Sequence, residues 1–231
     1  MKKILILSII TGGLFLCSCE LDNYLSPDSI LEGKVIDQVT GENIQTRQPN
    51  GIKIRLMEEG FENPQPYDFW AKSDGSFRNT KLFKSKYRVV VIEGAFEASS
   101  VDTVDIDLNQ NQTIEFDVEP YVRLKNVSIT TPAAGTIKAT YNIELTTSTK
   151  DPNKCFLMVY TDKILHESTV GLKKSTEHNL VPMAHSVITS TNFEDQITGL
   201  NAGTYYARVG VLATNSLNRY NYSSIIELVV E

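Results

Sequence analysis

The sequence predicts an all-β protein built from two tandem β-sandwich domains. From residue 30 onward, apolar residues recur in short runs with a period of two, and Gly, Pro, Asn and Asp separate these runs. No stretch of this region shows the 3.6-residue period of an amphipathic helix. The first domain alone shows about seven strands at this spacing, which is typical of a sandwich, and the length allows two domains of roughly 100 residues each.

The first domain is predicted to span residues 29–120. Residues 30–36 form its first strand, and the alternation of Ile52, Ile54 and Leu56 with polar neighbours predicts a half-buried strand. Asp74-Gly75 supplies the turn of a predicted hairpin that begins at residues 69–72. Further strands are expected at residues 87–92, the predicted central strand, and at residues 103–108 and 114–119.

The second domain is predicted to span residues 121–231, after a hinge at Pro120, because proline cannot donate to a strand ladder. Strands are expected at residues 122–129, 137–145, 155–160, 204–209 and 225–230. Residues 162–192 are polar, carry all three histidines and show little pattern, so we expect a long connection there.

The amino terminus predicts an export signal. Lys2 and Lys3 precede an apolar run over residues 4–16 that is too short to span a bilayer comfortably. Leu16-Cys17-Ser18-Cys19 resembles the bacterial lipobox, which implies that residues 1–18 are removed and that Cys19 carries the lipid. The less favoured alternative is an ordinary secretory signal. In the lipoprotein interpretation, residues 19–28 form a polar tether between the lipid and the first domain.

Charge and cysteine content narrow the function classes. The chain carries 22 Lys and Arg against 28 Asp and Glu, a net charge of −6, which argues against nucleic acid as a partner and against adhesion to anionic lipid by charge. Once Cys17 leaves with the signal and Cys19 is lipidated, only Cys155 remains, so no intramolecular disulfide is expected. Cys155 lies in an apolar run and is predicted to be a core residue.

The first domain resembles the prealbumin-like, carboxypeptidase-regulatory-like β-sandwich. Three strings carry this resemblance: Gly33-Lys34-Val35-Ile36-Asp37 with Thr40-Gly41-Glu42, Asp74-Gly75-Ser76-Phe77, and Tyr87-Arg88-Val89-Val90. Residues 197–209 resemble the fibronectin type III signature, in which a tyrosine after a Gly-Thr turn forms a tyrosine corner.

Longer strings resemble an uncharacterised family of Bacteroidetes lipoproteins. They lie at residues 49–56, 68–70, 79–83 and 93–96. The family places a prealbumin-like domain before a fibronectin type III or immunoglobulin-like domain, and its members are commonly encoded beside TonB-dependent glycan importers. Acidic residues after Cys19 also resemble surface-export signals of these bacteria. The resemblance implies an outer-membrane protein that faces the exterior, and it implies no activity.

The sequence offers little that would support catalysis. His166, His178 and His185 lack the tight spacing of a zinc site, and Asp105 and Asp107 fall on the outward face of a predicted strand. No nucleophile elbow or phosphate-binding glycine loop occurs in the sequence. We therefore expect no catalytic residues, no metal and no cofactor.

Two aromatic stretches are candidates for ligand binding, because aromatic rings stack on sugar rings while polar neighbours bind the hydroxyls. In the first, Tyr67 and Trp70 follow a proline-containing loop at residues 58–66. The alternative is that residues 69–70 simply open a strand, which leaves Tyr67 as the exposed ring.

The second stretch is residues 215–222, where Asn218, Arg219, Tyr220 and Tyr222 combine rings with amide and guanidinium groups. We expect this loop at the end of the molecule farthest from the lipid. The alternative is that Tyr220 and Tyr222 begin the last strand and pack on the core.

These features predict a non-enzymatic surface lipoprotein that assists glycan or nutrient uptake. Its expected partners are the membrane, through the lipid, and a polysaccharide or an outer-membrane importer complex. The alternative is a structural spacer or protein-interaction module without a small-molecule ligand.

Overall fold

The computed structural model describes residues 25–146 and 150–231. The predicted signal segment and Cys19 lie outside the described residues. The described chain is all-β, arranged as sandwiches, which confirms the predicted fold class. Among the described residues, no helix is both long and apolar enough to cross a membrane.

The N-terminal domain packs a three-stranded sheet against a four-stranded sheet. In chain order its elements are β1 (Ser29–Asp37), β2 (Lys53–Glu58), β3 (Tyr67–Trp70), β4 (Ser76–Leu82), β5 (Lys86–Glu93), a 3-10 helix (Ala98–Ser100), β6 (Val104–Asp107) and β7 (Gln112–Val118). The sheets have the strand orders β4-β1-β7 and β3-β2-β5-β6. Strand β1 pairs antiparallel with β4 and parallel with β7.

The core of this domain follows the predicted alternation. Ile52, Ile54 and Leu56 are completely buried, as are Val89 and Val91 of β5. Strand β5 lies between β2 and β6, which agrees with its predicted central place. Apolar side chains at every second position therefore drive the two sheets together.

The hairpin predicted at Asp74-Gly75 is wrong, although the turn itself forms. Gly75 adopts a φ of +76°, and the Asp74 carboxylate accepts hydrogen bonds from the Ser76 amide and hydroxyl. Strand β3 before the turn pairs with β2, however, while β4 after it pairs with β1. The turn thus carries the chain from one sheet to the other, which the local sequence does not distinguish from a hairpin.

The C-terminal domain is also a sandwich. In chain order its elements are β8 (Val122–Ala133), β9 (Thr136–Leu145), β10 (Pro152–Tyr160), β11 (Lys173–Lys174), β12 (His178–Asn179), α1 (His185–Ser190), β13 (Phe193–Ile197), β14 (Gly203–Ala213), β15 (Tyr220–Tyr222) and β16 (Ile226–Val230). One sheet has the order β13-β9-β8, and the other has the order β11-β10-β14-β15, with β12 beside β10 and β16 beside β14.

Two features of this domain bear on its predicted class. The Tyr205 hydroxyl donates to the carbonyl of Asn201 at 3.1 Å, which is the bond of a tyrosine corner. The connection expected at residues 162–192 contains β11, β12 and α1, which are too short to show a period in the sequence. The domain is thus fibronectin-like, with extra short elements beside β10.

The two domains meet end to end. Strand β1 runs from Ser29, near the start of the described chain, to Asp37, whose carboxylate accepts hydrogen bonds from the guanidinium of Arg123 in β8. Pro120 lies between β7 and β8 and forms an isolated bridge with Phe96. The N-terminal domain therefore has an end at the start of the chain and an opposite end that faces the C-terminal domain, here called the junction.

Candidate functional site

Trp70 lies at the junction end of β3, on the outer face of the four-stranded sheet. Side chains alternate along β3, so Phe69 points inward and packs edge-on against Phe77 with ring centroids 6.0 Å apart. Trp70 points outward and is half-buried. Lys53, its cross-strand neighbour on β2, places its ammonium 4.6 Å from the centre of the indole.

Arg219 reaches the same place from the C-terminal domain. Its guanidinium lies 5.7 Å from the Trp70 ring and donates to the Glu93 carboxylate at 2.5 Å, between residues 126 positions apart. Lys53 also donates to Glu93. The structure therefore joins two of the predicted candidates, Trp70 and Arg219, through a carboxylate that sequence reasoning missed.

The loop that carries Arg219 is held by its own hydrogen bonds. The Asn215 side chain accepts from the Arg219 amide at 2.8 Å and donates to the Arg219 carbonyl at 2.9 Å. Asn218, at a φ of +51°, is exposed beside Arg219. We call the group of Lys53, Trp70, Glu93, Asn218 and Arg219 the junction platform.

Charge on and beside the platform is balanced in pairs. Burial alone would raise the pKa of Glu93, but the hydrogen bonds from Lys53 and Arg219 outweigh burial and hold this pKa below its ordinary value. Next to the platform, Arg55 and Asp68 form a bidentate pair with both N–O distances at 2.7 Å. The platform thus presents part of the Trp70 indole and the exposed Asn218 to solvent, while Arg219, only 9% exposed, is mostly buried against Glu93.

Tyr67 does not join this group. It lies at the other end of β3 and, by the alternation of the strand, on the opposite face from Trp70. Its ring is about half exposed, and its hydroxyl accepts a hydrogen bond from the Asn79 amide at 3.3 Å.

Tyr220 and Tyr222 are buried, with exposures of 6% and 7%. Their rings stack 5.8 Å apart, and the guanidinium of Arg208 lies 3.7 Å from the centre of the Tyr222 ring. The Tyr222 hydroxyl donates to Glu167. This is the packed arrangement of the alternative hypothesis, and it corrects the expectation that both rings face a ligand from solvent.

The position of residues 215–222 also corrects an expectation. We expected this loop far from the lipid, yet it contacts the N-terminal domain, because β14 runs toward the junction and ends beside Pro152. The Asn221 amide likewise donates to the carbonyl of Ala95 at 3.0 Å. Strand direction, which the local sequence does not reveal, decides this placement.

Further polar pairs hold the two domains together at the junction. Arg123 bonds Asp37 at 2.9 Å, and Arg208 donates to the carbonyl of Thr46 at 2.8 Å. Arg47 of the N-terminal domain pairs with Glu167 of the C-terminal domain at 2.5 Å. A cleft of 780 Å³ between the domains is lined in part by the Asp37 and Arg123 pair. No pattern in the sequence marks these long-range partners.

The remaining groups considered for chemistry lie apart. His178 is 3.2 Å from the buried Asp195, while His185 contacts Asp151 on the surface. Among the described residues, no three His, Cys, Asp or Glu side chains gather in a way that would hold a metal ion. Burial raises the pKa of the Cys155 thiol to about 12, so it is not a thiolate at neutral pH.

Comparisons with known proteins agree with this architecture. Residues 29–119 match the family described as "Protein of unknown function (DUF3823) N-terminal domain". The chain has no match among curated proteins.

Solved structures extend the likeness to the second domain. A candidate carbohydrate-binding protein from Bacteroides uniformis is 21% identical, with a TM-score of 0.72 over 88% of this chain and all of the other. DUF3823 proteins from Bacteroides ovatus and Parabacteroides merdae are 24% and 22% identical, with TM-scores of 0.72 and 0.73 over the same shares. At these identities the likeness shows the fold. Residues 29–119 therefore match the DUF3823 N-terminal domain, and the predicted resemblance to an uncharacterised Bacteroidetes family is confirmed.

Proposed function

We propose that this protein is a non-enzymatic lipoprotein that binds carbohydrate at the junction platform. The observation that carries the proposal is the meeting of Trp70 with Arg219, which belong to different domains, around the shared carboxylate of Glu93. An indole edge can contact the apolar face of a sugar ring while charged and amide groups bind its hydroxyls.

Two further points support binding without catalysis. The Bacteroides uniformis protein of the same fold is described as a candidate carbohydrate-binding protein. The Ser175 hydroxyl donates to Asp195 at 2.7 Å and accepts from the Leu157 amide at 3.0 Å, so this buried serine is committed to a structural network. The same network contains Tyr141, whose hydroxyl donates to Asp195 at 2.8 Å.

The proposal includes an anchor at Cys19. The lipid would hold the protein at the outer membrane, facing the exterior, where it would serve a glycan or nutrient uptake system and its importer. Replacing Cys19 with alanine should abolish labelling by a clickable palmitate analogue. Persistent label in this variant would refute the lipobox assignment.

Carbohydrate binding is tested by affinity gels that contain a panel of polysaccharides. Trp70→Ala should weaken retardation by roughly fivefold or more, because a stacked aromatic contributes about 1 kcal/mol beyond its buried area. Tyr67→Ala is the matched control, since it removes an exposed ring outside the platform. Equal retardation of Trp70→Ala and the parent protein would refute the platform as the site.

A spacer or protein-interaction module is the second candidate function. The charged pairs across the junction favour it, because they hold two domains in one fixed orientation without requiring a ligand. If no polysaccharide in the panel retards the parent protein, the spacer function becomes the better account.

A further inference from the structure

The end of the N-terminal domain opposite the junction carries a group of exposed apolar side chains. Leu25 is 79% exposed, Phe61 63%, Tyr67 49% and Phe83 47%. Among residues 25–146 and 150–231, every other aromatic side chain is buried or half-buried. All the strongly exposed aromatic rings of the described chain therefore lie at one end, here called the amino-terminal end.

Two backbone contacts and one side-chain hydrogen bond bring these residues together from four segments. Ser29 pairs with Leu82, which places the start of the described chain beside Phe83. The amide of Glu59 donates to the carbonyl of Lys86 at 2.9 Å and so holds the loop of Phe61 against the turn between β4 and β5. The bond between Asn79 and Tyr67 adds the start of β3 to the same end.

Charged side chains of both signs surround the exposed rings at this end. Lys81, Lys84 and Lys86 are exposed around Phe83, and Lys84 lies 4.0 Å from Asp28. Glu59 and Glu62 flank Phe61, so the end is mixed in charge. Apolar rings beside lysines are typical of protein surfaces that lie in the membrane interface, where the rings enter the headgroup region and the ammonium groups reach outward.

The length of the tether indicates which end of the N-terminal domain would lie near the membrane. From Cys19 to Leu25 the chain has six residue steps, which span about 20 Å at full extension. A lipid on Cys19 would therefore hold this end, and not the junction, within reach of the bilayer surface.

We propose that the amino-terminal end docks on the headgroup region of the membrane, with Phe61 and Phe83 at the interface. This inference depends on the proposed lipid anchor. Docking in this way would point the junction end of the N-terminal domain away from the membrane and leave the junction platform accessible from solution.

Quenching by brominated lipids tests this docking. The full-length lipidated protein is placed in vesicles of phosphatidylethanolamine and phosphatidylglycerol, as the parent protein and as Phe61→Trp, Phe83→Trp and Val229→Trp variants. Trp70 is the only tryptophan of the parent, so it provides the common baseline. Val229 is 67% exposed on β16 of the C-terminal domain and is the matched control.

The brominated lipids should remove most of the emission that Phe61→Trp and Phe83→Trp add, and none of that added by Val229→Trp. Anchored protein without quenching at positions 61 and 83 overturns the docking and leaves the anchor intact. Protein that fails to stay with the vesicles and lacks lipid by mass spectrometry overturns both proposals. Binding of Phe61 and Phe83 to a partner protein instead of lipid would give the anchored, unquenched result.

Discussion

The two ends of the N-terminal domain differ in chemistry. At the junction, Asp37 and Glu93 are held by arginines of the C-terminal domain, and Asp37 is almost fully buried. At the amino-terminal end, Phe61 and Phe83 are exposed, and the lysines around Phe83 face solvent. The same two sheets thus end in matched charges on one side and in uncovered rings on the other.

The difference shows that the side chains at each end of the sheets match what that end contacts. A charge that is removed from water needs a partner of opposite charge, and at the junction the second domain supplies it. Exposed aromatic rings gain most from an amphipathic surface that accepts both ring and lysine.

The largest effect is expected from Arg123→Met. This change leaves the buried Asp37 carboxylate without its main partner, which should lower the free energy of unfolding by about 3 kcal/mol. Lys125→Met, on the same strand at an exposed position, is the control and should change stability by less than about 0.5 kcal/mol. Denaturant unfolding measures both. Equal effects of the two variants would show that the pair does not hold the junction.

Acid should weaken the junction. Burial alone would raise the pKa values of Asp37 and Glu167, but hydrogen bonds from partners such as Arg123 and Tyr222 outweigh burial and lower both. Because the folded-state pKa is the lower one, this stabilisation is complete above the ordinary carboxyl pKa of about 4 and is lost as pH falls through the folded value.

Thermal unfolding between pH 7 and pH 3 measures this dependence. Glu167→Gln should show a smaller fall in melting temperature over that range than the parent protein. An equal fall in both proteins would mean that other carboxyls control the response.

A smaller loss of stability is expected from two tyrosines, one in each domain, whose hydroxyls bond a backbone carbonyl four residues earlier. Tyr205 bonds the carbonyl of Asn201, and Tyr87 makes the same four-residue link to the carbonyl of Phe83 at 3.0 Å. Tyr205→Phe and Tyr87→Phe should each cost about 1 kcal/mol of unfolding free energy. Chemical denaturation followed by circular dichroism measures this cost, and an unchanged midpoint in either variant would show that the link is incidental.

The smallest stability effect is expected at the amino-terminal end. Phe83→Ser removes a ring that is 47% exposed, so the melting temperature should stay nearly constant, within about 0.5 kcal/mol in free energy. A large loss of stability would place this ring in the core and remove it from the proposed membrane contact.

Local patterns in the sequence predicted the strands well. The alternation at Ile52, Ile54 and Leu56 identified a core strand, because a strand that is buried on one face has an apolar residue at every second position. The same local signal could not tell that the Asp74-Gly75 turn links two sheets, since strand pairing depends on partners far away in the chain.

The candidate site was predictable only in part. Trp70 and Arg219 were selected separately for their chemistry, but their meeting depends on a bond between Arg219 and Glu93, 126 positions apart. Tyr220 and Tyr222 were also candidates for a ligand, with packing on the core as the alternative, and the structure buries both of them, with Arg208 against Tyr222. Which aromatic residues remain accessible is decided by tertiary packing.

The junction platform as a carbohydrate site is tested most directly through its own fluorophore. Trp70 is the only tryptophan in the chain, so its emission reports on the platform without labelling. Titration of the parent protein with oligosaccharides from a polysaccharide that retards it should change this emission to saturation, and Arg219→Ala should weaken the apparent affinity. Retardation by a polysaccharide whose oligosaccharides leave the Trp70 emission unchanged would contradict binding at the platform.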